Sequence, residues 1–281
     1  MKISLSIIAF LCLAVVSNRS SKTEIDPEVS KVLNAMYDSI DAVKTLQLKI
    51  IATERLGKTY STARSEIKLI TKPRNLYFIN KEKKLEILYW EGKNDNKALI
   101  KYGKLPVFSL DPTGNMMRKN QHYTIHALGF DFIGKSIAMT FAKDPNGLKN
   151  MSYKGRFKKH NIVCHVLEYY NPKFLYVDYI IGKKETASSI ASKLIVNDYL
   201  LRYRNDLLND FGYLKEGKHL IVPNLYCKKA LIFINARTYL PVSVSLYDDE
   251  GLFENYEYPE TIHNQPLDES EFSRDNKKYH F

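Results

Sequence analysis

The chain has 281 residues, of which 44% are hydrophobic types. That is enough for one large domain or two modest ones, and it excludes wholesale disorder. The net charge of +11 comes from lysines and arginines scattered along the chain, with no dense basic block and no nucleic-acid-binding motif. A solvated lysine-rich surface is the direct reading. Anionic lipid or a wall polymer stays open as a class of partner, and nucleic acid does not.

The N-terminus sets the compartment. Lys2 precedes an apolar run from Ile3 to Val16, which ends at Ser17. A basic start, a short apolar stretch and a small residue form a secretory signal over residues 1–17, too short to span a bilayer comfortably. The reading is an exported chain of the periplasm or cell envelope, peripheral to a membrane at most. Cys12 follows Leu11 rather than a small residue, which favours simple secretion over lipidation at Cys12. Cys164 and Cys227 remain. An even pair in an exported chain suggests a disulfide, and two buried thiols on neighbouring strands is the alternative.

Asp26-Pro27 starts a helix, with Asp as N-cap and Pro in the first turn. Val29, Val32, Leu33, Met36 and Ile40 then fall on one face. Leu46, Leu48, Ile50 and Ala52 alternate as a half-buried strand. Further strands follow over Tyr60–Thr71, Leu76–Ile79, Leu85–Trp90 and Ala98–Tyr102, linked by short polar turns. Such links mean an antiparallel meander, not parallel crossovers. Residues 105–118 read as irregular. Ile125, Leu128, Phe132, Ile133, Ile137 and Phe141 recur at helical intervals and predict a covering helix. Strands at Tyr153–Phe157 and Ile162–Tyr170 come next, and the last three are Ala230–Ala236, Val242–Tyr247 and Leu252–Tyr258. Residues 271–281 read as a polar tail along the surface.

Between those strand groups lies YVDYIIGKKETASSIASKLIVNDYLLRYRNDLLNDFGYLKEGKHLIVP, from Tyr176 to Pro223. It reads as a strand, two short helices and a strand, with Thr186 capping the first helix. No catalytic constellation emerges. His122 and His126 stand four apart without a glutamate between them or a third ligand, unlike the metalloprotease pattern. His165 adjoins Cys164, but strand neighbours point to opposite faces. No cofactor and no metal are expected.

The helix of residues 26–40 leading into a strand, the KPRNLYFI segment and the carboxy-terminal NARTYLPVSVSLYDDEGLFENYEYPE resemble the LolA/LolB-like lipoprotein-carrier superfamily. MMRKNQHYTIHALGF and CHVLEYYNP resemble an uncharacterised exported subfamily of it. The resemblance implies an α+β fold: a strongly curved antiparallel sheet, a half-barrel whose mouth is plugged by helices. It implies a non-enzymatic protein whose apolar inner face holds an acyl lipid or lipoprotein. The residues expected to line that cavity are Leu46, Leu48, Ile50, Ile67, Leu69, Tyr77, Leu88 and Trp90, with simple core packing as the alternative for each.

Tyr176–Pro223 resembles a LysM module, a βααβ unit that binds N-acetylglucosamine-containing glycans such as peptidoglycan. Its groove would be formed by Lys184, Glu185 and Thr186 in the first loop and Phe211, Gly212, Tyr213 and Leu214 in the second. Lys184-Glu185 replace the family's usual Gly-Asp, so a purely structural insertion stands beside glycan binding. The expected layout is a LolA-like domain over residues 24–174 and 226–270, interrupted by a LysM-like insertion over residues 175–225. The alternative function is an envelope sensor or scaffold that binds another protein and has a filled half-barrel.

Overall fold

The computed structural model describes residues 25–281. The expected leader of residues 1–17 and Cys12 lie outside them. The chain opens with α1 (Pro27–Asp41), where the Asp26 side chain accepts from the Glu28 N–H at 2.9 Å and Pro27 needs no donor partner. Its apolar stripe of Val29, Val32, Leu33, Met36 and Ile40 is buried.

Six strands follow: β1 (Thr45–Leu56), β2 (Thr59–Ile70), β3 (Asn75–Asn80), β4 (Leu85–Trp90), β5 (Ala98–Tyr102) and β6 (Phe108–Leu110). Then come α2 (Asn115–Arg118), α3 (Asp131–Lys143), β7 (Met151–Lys159) and β8 (Ile162–Tyr170). A unit of β9 (Tyr176–Ile180), α4 (Ala187–Leu194), α5 (Asp198–Arg204) and β10 (His219–Pro223) precedes β11 (Lys229–Asn235), β12 (Pro241–Asp248) and β13 (Gly251–His263). Eleven strands form one sheet in the order β6-β5-β4-β3-β2-β1-β13-β12-β11-β8-β7, antiparallel throughout. The β1–β13 pair joins the amino-terminal meander to the carboxy-terminal strands. The fold is α+β, with its helices gathered beside a large antiparallel sheet.

The helices α1 and α3 meet closely at Gly134, where an added Cβ would lie 3.3 Å from Ile40 Cδ1. Leu46, Leu48, Ile67 and Leu69 on the inner face of β1 and β2 belong to the same core as the α1 stripe and are at most 3% exposed. Burying each such side chain contributes roughly 1.5–3 kcal/mol.

Three expectations change. The covering helix starts at Asp131 rather than near Ile125, because Gly129 sits at φ +104° and Ile125–Ala127 is a single tight turn. Residues 105–118 hold the short strand β6 and the one-turn helix α2. The tail also packs instead of trailing. Phe272 is 1% exposed, and the Tyr279 ring stacks on Tyr77 with centroids 3.7 Å apart. Three aromatics in a polar stretch, Phe272, Tyr279 and Phe281, cover the outer face of β3 and β4.

Candidate functional site

The two halves of the β1–β2 hairpin differ in side-chain size. Near the strand ends that α1 covers, the inner face carries Leu46, Leu48, Ile67 and Leu69. Toward the turn it carries Ile50, Ala52 and Glu54 on β1 and Ser61, Ala63 and Ser65 on β2. Small residues there leave the space unfilled. The result is a cavity of about 470 Å³ between the sheet and the α2–α3 region. That falls within the roughly 300–1,000 Å³ typical of small-molecule sites. Ile87 and Ile100 wall it from the sheet, and Phe132, Ile133 and Ile137 wall it from α3. Exposed Lys83, Tyr102, Met116 and Lys119 stand at its rim.

Of the eight residues expected to line a cavity, Ile50 does so. Leu46 and Leu69 are packed core. Leu48, Ile67 and Tyr77 border a smaller recess of about 150 Å³. Tyr77, Leu88 and Trp90 face outward, where the carboxy-terminal tail covers them. Phe78 and Ile87, directly paired, take the inner positions instead.

One end of the cavity is polar. Glu54 and Glu254 stand directly opposite each other across β1 and β13, and both line the cavity. Each Glu254 oxygen has a donor: Tyr123 Oη–H at Oε1, and His122 Nδ1 at Oε2, 2.7 Å away. The other His122 nitrogen, Nε2, lies 3.0 Å from the Arg55 carbonyl oxygen. A carbonyl can only accept, so Nε2 carries a proton. With Nδ1 facing a carboxylate, the ring is an imidazolium. Burial opposes that charge, but the Glu254 hydrogen bond and the charges of Glu254 and Glu54 outweigh it and hold the pKa above the usual histidine value. The Tyr256 hydroxyl donates to Glu54 Oε1. Burial pushes the Glu54 pKa up, against the pull of the His122 charge. Tyr123 and Tyr256 titrate well above an ordinary tyrosine, from burial first and the neighbouring carboxylates second.

Sequence reasoning overlooked this cluster, although Glu54 carried a signal. It continues the alternation Leu46, Leu48, Ile50, Ala52 onto the inner face, and an inward acid on a buried strand is unusual. His122 precedes α3 in a loop and His126 lies in the tight turn, so they share no helix face. Among the described residues no cluster of three or more His, Cys, Asp or Glu is placed to hold a metal.

The disulfide reading is corrected. Cys164 and Cys227 are both free and buried. The strand register sets Cys164 against Asn235, eight residues beyond Cys227, or about 26 Å along a strand. A bridge needs Cα atoms within about 7 Å. Burial raises the Cys164 thiol and pushes Cys227, in the cavity wall, up to about 12.

The unit β9-α4-α5-β10 forms its own two-stranded sheet and small core around Ile181, Ile190, Leu201 and Leu220. Thr186 caps α4 in a reciprocal box with Ser189. The two expected groove loops meet where the Leu214 N–H donates to the Glu185 carbonyl at 2.8 Å. The Glu185 carboxylate is engaged by Tyr179, Lys193 and the Gly182 N–H. Lys184 stands at φ 55° and Gly212 is exposed. Phe211 is already engaged by two guanidinium groups, Arg118 and Arg202, which lie over its ring at 4.7 and 4.6 Å. Tyr213 is free, being 74% exposed.

The unit is docked on the main sheet. Tyr199 of α5 stacks on His122 at 4.4 Å, and its hydroxyl oxygen accepts from the Gly57 N–H at 3.0 Å. Arg204 pairs with Asp249 and Glu250 in the β12–β13 turn, and Arg118 pairs with Asp198 at 2.7 Å.

Residues 43–174 match the model of a family described as protein of unknown function, DUF1571. No curated protein matches the sequence. Among solved structures, MucB is similar at 11% identity and a TM-score of 0.41, over 88% of this chain and 63% of that one. This chain therefore spans less than two thirds of the MucB chain. The Mycobacterium tuberculosis lipoprotein LppX is similar at 10% identity and a TM-score of 0.34, over 86% and 98% of the two chains. A LolA superfamily protein from Nitrosomonas europaea is similar at 8% identity and a TM-score of 0.33, over 88% and 98%. All three likenesses are distant. Among the described residues, no helix is long and apolar enough to cross a membrane.

Proposed function

We propose that this is an exported, non-enzymatic binding protein of the cell envelope that holds the acyl chain of a lipid or lipidated partner. The observation that carries the reading is the cavity of about 470 Å³ walled by Ile50, Ile87, Ile100, Ile133 and Ile137. An unfilled apolar space of that size weighs against a scaffold whose half-barrel is packed solid. The buried thiol of Cys227 and the fully hydrogen-bonded His122 supply no free nucleophile or base there.

The test is native mass spectrometry of the exported protein, together with titration by a fluorescent acyl probe. Saturable binding that disappears in Ala63→Trp, with the fold intact, is expected. No co-purifying lipid and no saturable probe binding would sink the proposal.

A second contact, with peptidoglycan through the LysM-like unit, rests on the exposed Tyr213 beside the meeting point of the two loops. The protein should then sediment with insoluble peptidoglycan, and Tyr213→Ala should stay in the supernatant. Equal sedimentation of both leaves a structural insertion.

A further inference from the structure

The polar end of the cavity has a hydrogen-bonding sense. Glu54 and Glu254 are directly opposed on one face of an antiparallel pair, an arrangement that ordinarily destabilises a sheet. Glu254 is fully compensated: each of its oxygens receives a hydrogen bond, one of them from a charged ring. Glu54 is compensated on one side only. Its Oε1 accepts from Tyr256, while Oε2 has no partner among the described residues and is not sealed by protein.

The surrounding tyrosine hydroxyls cannot offer a proton to anything that enters. Tyr256 spends its own on Glu54 and Tyr123 spends its own on Glu254. Tyr226, 2.9 Å from the Tyr123 oxygen, must then donate to it. The three tyrosine donors at this end are committed, and a carboxylate acceptor is left over beside the Ser61 hydroxyl, which faces Glu54 across β1 and β2.

We propose that the cavity takes an amphiphile with an apolar body and a hydrogen-bond-donating head, a hydroxyl or an ammonium, and that Glu54 Oε2 receives that head. The inference rests on the lipid-binding reading above and names the ligand class for the same site. A carboxylate head would meet two carboxyl groups and no free tyrosine donor at this end. The two lysines that line the cavity, Lys83 and Lys119, are exposed at its rim.

The test uses probes that share one chain and differ in the head: palmityl alcohol, palmityl amine and palmitate. Each displaces a fluorescent acyl probe from the mature chain at neutral pH. The alcohol and the amine are expected to bind about tenfold or more tighter than palmitate, the size of one charge-assisted hydrogen bond. Glu54→Leu should abolish that preference while still binding the acyl probe. Glu54→Gln, which keeps an acceptor but loses the charge, should keep the alcohol and lose the added affinity for the amine. The wild-type series decides even where a variant does not fold. Equal binding of the three heads, or tightest binding of palmitate, overturns the inference and leaves the lipid-binding reading standing. Failure of the acyl probe itself to bind overturns that reading.

Discussion

Replacing His122 by leucine tests the buried cluster most directly. The ring is fully enclosed, with its side chain 0% exposed and that of Glu254 at 2%. It stacks with Tyr199 at 4.4 Å and with Phe253 at 4.3 Å. In His122→Leu, Glu254 Oε2 and the Arg55 carbonyl both lose their donor. Removing one member of a buried pair costs about 3–5 kcal/mol, because the other charge stays buried. The double variant His122→Leu/Glu254→Leu removes that stranded charge, at the expense of the Tyr123 bond. It should cost less than His122→Leu alone.

Urea unfolding followed by circular dichroism gives the free energies, and pH supplies an independent arm. The folded pKa of His122 is raised above 6.5. Its stabilisation is therefore fully present below the unfolded value of about 6.5 and is lost as pH rises through the folded value. Wild-type stability should fall over that window, and the double variant should show a smaller fall. The ring proton resonances should titrate above 6.5. A His122→Leu cost under about 1 kcal/mol, or a ring titrating below the ordinary value, would refute the imidazolium.

Other perturbations probe the frame around the site. Phe272→Ala should cost about 3–5 kcal/mol in the same urea assay, since the ring is 1% exposed against Leu88 and Tyr77. A neutral result would mean that the tail is not docked. Gly129→Ala should cost roughly 1–3 kcal/mol, because φ is +104° and the new Cβ would lie 2.8 Å from Leu69 Cδ2. Thiol titration of the denatured mature chain without reductant should find both Cys164 and Cys227 free. A shift in non-reducing electrophoresis would contradict the strand register.

Much of the meander was legible because β1, β2, β11 and β12 alternate and their turns are short. The residues that mislead are those where alternation fails. β3 and β4 carry apolar side chains on both faces, as in LYFI and LEILYW, so period two cannot say which side is inward. Tyr77, Leu88 and Trp90 look like cavity residues for that reason, and they belong to a second buried face made by the tail. Helical spacing from Ile125 to Phe141 was likewise real, but Gly129 at positive φ interrupts it. Glu54 was readable from parity alone. Glu254 and His122 were not, since their meeting depends on β13 returning beside β1, a pairing 200 residues apart in sequence.

The inserted unit and the cavity are joined by the same side chains. Arg55 pairs with Asp248, and both are buried, while its carbonyl holds His122. Phe253 stacks on His122 and also contacts the Arg55 guanidinium, and it shares a small core with Tyr199 and Leu200 of α5. A buried ion pair contributes little net stability, but it fixes which groups must meet. Here it fixes the β12–β13 turn against β1, and Arg204 of the unit binds that same turn. The placement of the unit on the sheet therefore depends on charge pairing as much as on apolar area. A ligand head at Glu54 would sit one carboxylate away from the imidazolium on which Tyr199 rests. Strand geometry thus puts the polar end of the cavity next to the inserted unit.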